Sequence, residues 1–140
     1  GYVVECTGAD KDADGRVHTV RARVFPDTKS GTPGSDSVKA KGVITWVGHA
    51  DAVAAEVRLY DRLFAVPQPD TGERDFLQEL NPESLKVVRA YVEPGLAQAH
   101  GDERFQFERH GYFVADRKDH ERGSRPVFNR ITGLKDTYGK

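Results

Sequence analysis

The sequence predicts an all-β protein of the sandwich or barrel kind. Short runs rich in β-branched and aromatic residues recur between clusters of Gly, Pro, Asp and Ser, and no long segment carries the three-and-four apolar spacing of a helix. At 140 residues the chain has room for one ordinary domain or two small ones with a core of their own, and a large multi-domain enzyme is excluded. With 37% hydrophobic and 31% charged residues the chain is polar but foldable, and it is expected to be soluble.

The elements follow in order. Tyr2 to Cys6 and Arg16 to Phe25 flank Asp12-Ala13-Asp14-Gly15, whose Asp-Gly step supplies the positive-φ turn of a hairpin. In the second arm Val20, Ala22 and Val24 alternate with Arg21 and Arg23, which predicts one face on a core and one in water. Pro26 to Ser37 reads as a loop, and Val38 to Val47, containing Gly42-Val43-Ile44-Thr45-Trp46-Val47, as a central strand. After a turn over Gly48 to Asp51, Ala55 to Phe64 reads as a strand with large groups on both faces, expected to contact something on each side. Pro67 to Gly72 is a second loop, and Asp75 to Leu80 a short helical turn ended by Asn81-Pro82-Glu83-Ser84. Leu85 to Val92 and Arg104 to Glu108 are further strands, and His110-Gly111 is a tight turn into a strand from Tyr112 to Asp116. Lys118 to Arg125 is a charged loop, and Pro126 to Asn129 is the strand expected to close the sheet.

Several function classes are disfavoured by composition. The formal charge of -1 gives no global attraction to nucleic acid or to an acidic membrane. One cysteine, Cys6, allows neither an internal disulfide nor a cysteine-rich zinc site, and points to a reducing cytoplasm. No stretch approaches the roughly 20 apolar residues of a membrane span, and the front carries no signal-peptide pattern. The chain has no methionine and opens on Gly1-Tyr2-Val3-Val4, so it is expected to be a piece of something longer.

Catalytic patterns are not found. No phosphate-cradling glycine motif, Gly-x-Ser-x-Gly elbow or His-Glu-x-x-His is present, and the five histidines have no partner at metal-ligand spacing. Cys6 is expected to be a buried or half-buried structural thiol rather than a nucleophile. Asp75 with Glu79 fits the exposed face of a short turn. Charge is nevertheless uneven. From Arg104 onward nine Lys or Arg stand against five acids, interleaved with Phe105, Phe107, Tyr112, Phe113 and Phe128. Either this end presents cations to phosphates and rings to unstacked bases, or it is a solvated hairpin whose aromatics face inward.

Five blocks carry a more specific signal: Lys41-Gly42-Val43-Ile44-Thr45-Trp46-Val47, Glu56-Val57-Arg58-Leu59-Tyr60-Asp61-Arg62-Leu63-Phe64, Asn81-Pro82-Glu83-Ser84-Leu85, Phe105-Gln106-Phe107-Glu108-Arg109-His110-Gly111-Tyr112-Phe113 and Pro126-Val127-Phe128-Asn129-Arg130. In order and spacing they closely resemble the C-terminal anticodon-binding region of bacterial glutaminyl-tRNA synthetases. The resemblance implies antiparallel β-barrels of the glutaminyl/glutamyl-tRNA synthetase anticodon-binding type with one or two short helical turns. Residues from about 1 to 45 would be the later part of a distal barrel, and those from about 46 to 140 most of a proximal one. The catalytic domain would be absent. Neither the HIGH-type nor the KMSKS-type motif is present, so the ATP, with Mg, that the family uses would bind elsewhere in the parent enzyme.

On the same resemblance Gln106 and Arg109 match residues that contact the central anticodon base. A Gln amide can complement the acceptor–donor–acceptor edge of an unpaired uridine while a guanidinium holds an oxygen or phosphate. Read from the residues alone, Gln106 is a surface strand residue and Arg109 a partner of Glu108 or solvent; on a regular strand the two point to opposite faces unless the chain turns near His110-Gly111. Arg117, Lys118, Arg122 and Arg125 are candidates for RNA phosphate contacts. Tyr60, Arg62 and Phe64 match a segment running back toward the catalytic domain, which makes them candidates for an interdomain contact or for ordinary core packing. The pockets for the first and third bases would lie before Tyr2. The implied partners are the tRNA for glutamine and the enzyme's own catalytic domain, with no membrane and a monomeric parent in the cytoplasm. The alternatives are the equivalent region of a glutamyl enzyme and a free-standing β-barrel scaffold that binds proteins through Tyr60, Leu63 and Phe64.

Overall fold

A computed structural model describes residues 1–69 and 75–134. The chain divides into two compact units, Gly1–Ile44 and Thr45–Lys140. Both are β structures whose only helical pieces, among the described residues, are 3-10 turns.

In the first unit β1 (Val3–Lys11) pairs antiparallel with β2 (Val17–Phe25). The turn between them forms as expected: Gly15 takes φ +80°, and the Asp12 carboxylate accepts from the N–H groups of Asp14 at 3.0 Å and Arg16 at 2.8 Å. The first arm runs further than Tyr2 to Cys6, because a bulge at Thr7 absorbs one residue and lets pairing resume at Gly8. Two expectations fail here. Cys6 is exposed rather than buried, and the Val20, Ala22 and Val24 face of β2 lies open, with Val20 60% exposed. A two-stranded ribbon buries a face only where another layer covers it, and beyond the hairpin this unit forms one 3-10 turn, Pro26–Thr28, within the predicted loop. That turn is tied back by Thr28, whose hydroxyl accepts from Val3 N–H at 2.8 Å and donates to Phe25 O at 2.6 Å.

Residues 38–47 form no strand, contrary to expectation, and Val43, Ile44 and Trp46 are each more than 60% exposed. β-branched residues favour an extended backbone, but a strand exists only where a neighbour completes its ladder. No described strand pairs with this stretch, which spans the boundary between the units.

The second unit is a five-stranded sheet formed by β3 (Val53–Tyr60), β4 (Leu85–Val92), β5 (Arg104–Phe107), β6 (Gly111–Ala115) and β7 (Val127–Thr132), in the order β4-β3-β7-β6-β5. The all-β class therefore stands, with two differences from an antiparallel barrel: the sheet is open among the described residues, and β3 and β7 run parallel. The last strand does not close the sheet at its margin but inserts between β3 and β6. Ala55 and Val57 of β3, Val92 of β4, Phe113 and Ala115 of β6, and Val127 and Phe128 of β7 are buried. Phe105 and Phe107 complete this core, with Phe107 stacked on Phe113 at 4.4 Å and the rings of Phe105 and Phe107 edge-on to Phe128.

β3 stops at Tyr60 rather than at Phe64. Its last residue pairs with Leu85, and just before Leu85 the partner segment turns over residues 81–84, with Ser84 N–H on Asn81 O at 3.0 Å and Glu83 N–H on the Asn81 side chain at 3.0 Å. Pairing continues irregularly through Asp61 N–H to Ser84 O, Asn81 N–H to Leu63 O, and an isolated bridge between Phe64 and Leu80. The predicted helical turn is a 3-10 turn, Phe76–Glu79, capped by the Asp75 carboxylate on Leu77 N–H. A further 3-10 turn, Pro94–Gln98, lies where no element was assigned from the sequence and buries Ala97, which makes three such turns among the described residues where one or two were expected. Of the predicted loop Pro67 to Gly72, residues 70–72 lie outside the described residues, as do Lys135, Asp136 and Lys140 of the basic end.

Candidate nucleic-acid interface

β5 ends at Phe107, one residue earlier than expected, and the turn occupies residues 108–110, closed by His110 N–H on Phe107 O at 2.9 Å. Arg109 takes φ +68°, a left-handed conformation uncommon for a residue with a side chain. Gly111 follows at φ +141°, where a Cβ would run into the Thr132 carbonyl of β7. Only glycine fits there, so packing of the turn against β7 determines where it sits. Gln106 and Arg109 are both exposed at this one end of the β5–β6 hairpin, and neither makes a side-chain hydrogen bond or ion pair among the described residues. Gln106 pairs in register with Tyr112, which is 44% exposed.

The aromatic residues of the basic end divide accordingly. Phe105, Phe107, Phe113 and Phe128 belong to the core, so the inward-facing reading holds for the four phenylalanines and not for Tyr112.

The charged loop after β6 is anchored at several points. Asp116 accepts from Lys118 N–H and Asp119 N–H, both at 2.8 Å, and from the Asn129 amide at 2.6 Å. The Asp119 N–H first, then Asn129, and with them Lys118 N–H and the Arg58 guanidinium, outweigh burial and lower the Asp116 carboxyl to about 2. Arg58, on the outer face of β3, donates to Asp119 at 2.6 Å and Glu56 at 2.7 Å, and reaches Asp116 at 3.4 Å. Asp119 and Glu56 keep its guanidinium firmly protonated. Arg58 and Asp116 are sheltered at 16% and 15% exposed, so water screens this pair less than the pairs Arg58 to Asp119 and Arg125 to Glu56, whose Asp119 and Arg125 are 43% and 53% exposed. His120 is a further anchor: its Nδ1 lies 3.2 Å from both the backbone nitrogen and the carbonyl oxygen of Val127, its Nε2 lies 3.0 Å from Ala99 O, and its ring meets Phe128 edge-on. The loop folds back at the bridge between Glu121 and Arg125.

From this frame the four basic candidates differ. Arg117 is paired with Asp102 at 2.8 Å and Arg125 reaches Glu56 at 3.4 Å, whereas Lys118 and Arg122 are exposed and make no side-chain hydrogen bond or ion pair among the described residues. Tyr60 is 44% exposed, Arg62 is exposed and Phe64 half-buried. The backbone of this segment is engaged, with Tyr60 O accepting from Arg130 and Arg62 O from Asn81. No three potential metal ligands cluster among the described residues, and no described helix is long and apolar enough to cross a membrane. The Arg58 network escaped the sequence reading. Its one legible sign is an Asp followed at two and three residues by turn positions, the pattern of an Asx-type cap.

Residues 43–116 match the family described as tRNA synthetases class I (E and Q), anti-codon binding domain. All 140 residues align at 65% identity with 24% of the glutamine–tRNA ligase of Ralstonia nicotianae, and at 66% with 24% of that of Cupriavidus taiwanensis. Over 138 residues the chain is 58% identical to 23% of the glutamine–tRNA ligase of Bordetella avium. It thus spans about a quarter of the length of the curated relatives it matches. The chain belongs to the anticodon-binding domain family of the class I tRNA synthetases for Glu and Gln.

Proposed function

We propose that this chain is the anticodon-reading part of a glutamine–tRNA ligase, which joins glutamine to its tRNA with ATP and Mg bound in a catalytic domain elsewhere in the longer protein. The observation that carries this reading is the alignment of the whole chain at 65% identity with one part of such a ligase. The geometry is compatible with it. Gln106 and Arg109 stand exposed and unengaged beside one turn, where an amide and a guanidinium can meet the edge and the phosphate of an unpaired nucleotide. Lys118 and Arg122 supply a sequence-independent attraction to the backbone, with smaller contributions from Arg117 and Arg125, which already have acidic partners. Tyr60, Arg62 and Phe64 make the contact with the catalytic domain of a monomeric, cytoplasmic enzyme.

The test is binding of an anticodon stem-loop of the glutamine tRNA across a salt series, beside a stem-loop with the central base changed and a Gln106→Ala variant. A central-base preference abolished by Gln106→Ala is the expected result. Equal binding of both RNAs with a steep salt slope leaves only the phosphate term and overturns base reading by this chain. No binding at all favours the protein-scaffold alternative.

A further inference from the structure

The face that carries Gln106 holds more than an amide. In register, Gln106 of β5 stands directly opposite Tyr112 of β6, and Tyr112 opposite Thr132 of β7. Directly opposed residues of an antiparallel pair share a face, their Cβ atoms about 5 Å apart. Arg104, two residues before Gln106, shares that face too; it is exposed and makes no ion pair or side-chain hydrogen bond among the described residues. Tyr112 differs from its aromatic neighbours: the four phenylalanines of this end pack against one another, while its ring is 44% exposed and makes neither a ring contact nor a side-chain hydrogen bond among the described residues. Among the described residues β5, which carries Gln106, is the margin of the sheet.

A cation, an amide and an open aromatic ring side by side at a sheet margin match the three chemistries of an unpaired nucleotide: phosphate, base edge and base face. We propose that Tyr112 is the stacking platform for the base whose edge Gln106 reads, with Arg104 on the same face as a cation for that nucleotide in addition to Arg109. This rests on the anticodon-reading function above and assigns to Tyr112 a role that the edge contacts of Gln106 and Arg109 leave open. Stacking is indifferent to base identity, so Tyr112 supplies affinity and holds the base still while Gln106 supplies the choice. The positive φ of Arg109 and the glycine-only contact at Gly111 hold the turn beside this face, so the base enters a preformed place.

The experiment uses the 140-residue chain with the glutamine anticodon stem-loop and the same RNA made abasic at the central position. Tyr112→Phe keeps the ring and is expected to bind the intact RNA within about twofold of the parent, whereas Tyr112→Leu binds it roughly 5- to 150-fold more weakly, the range of one lost base–ring stack. On the abasic RNA all three chains bind alike. Tyr112→Trp gives a second readout independent of affinity: its added fluorescence is quenched by the intact RNA and not by the abasic one. Unchanged binding by Tyr112→Leu, or an equal loss on both RNAs, overturns the stacking role even when the parent prefers the intact RNA and Gln106→Ala removes that preference. A parent that binds both RNAs equally overturns the anticodon-reading function itself, and the stacking role with it.

Discussion

Replacing Asp116 with asparagine tests the anchoring of the charged loop most directly. The carboxyl, 15% exposed, is held at about 2 against an ordinary 3.8 by the N–H of Asp119, the Asn129 amide, the N–H of Lys118 and the Arg58 guanidinium. Because the folded value lies below the unfolded one, the unfolded chain binds more protons between the two, and stability rises with pH across that window. The contribution is complete above about pH 4 and is lost as pH falls toward 2. At 1.36 kcal/mol per unit it amounts to about 2 kcal/mol at neutral pH and falls to roughly half of that at pH 3. The introduced amide would retain an oxygen for the two backbone N–H groups but would oppose the Asn129 amide with a second amide and leave Arg58 one acid fewer. Urea unfolding of parent and Asp116→Asn variant, followed by far-UV circular dichroism at pH 7, 5, 4 and 3, measures the difference directly. It should be about 2 kcal/mol at pH 7 and shrink by about half at pH 3. A difference that stays constant with pH would show that packing, not the charge of Asp116, holds the loop, and the electrostatic reasoning would be wrong.

Two further outcomes are expected. Arg109→Gly relieves the left-handed strain and raises stability by up to about 1 kcal/mol, while central-base discrimination falls; a variant that loses stability in urea unfolding would mean that the Arg109 side chain is itself a structural element. Lys118→Ala and Arg122→Ala should each lower the slope of log K against log salt by about one, and Arg117→Ala, which removes an already paired cation, by less. Equal slopes for all three variants would refute this division of the loop.

Strand positions were legible because side-chain alternation and turn chemistry are local. Leu85–Val92 matches its predicted bounds residue for residue, and the Gly15 turn forms where Asp-Gly predicted it. The 38–47 segment was not legible in this way, because its β-branched residues state a preference that only a neighbouring strand can satisfy. The end of β3 was missed for a related reason: it depends on a turn in the partner segment over residues 81–84, more than 20 residues away.

The same division runs through the site. Gln106, Arg109 and the basic loop could be nominated from residue type and from a resemblance carried by contiguous blocks, since both are properties of the chain in order. Which aromatics were core and which was open, and which cations were already paired, depended on partners distant in sequence: Phe128 against Phe107, Asp102 against Arg117, and Arg58 against Asp119, 61 residues on. Burial and charge pairing are relations between residues that folding brings together, and no local pattern along the chain encodes them.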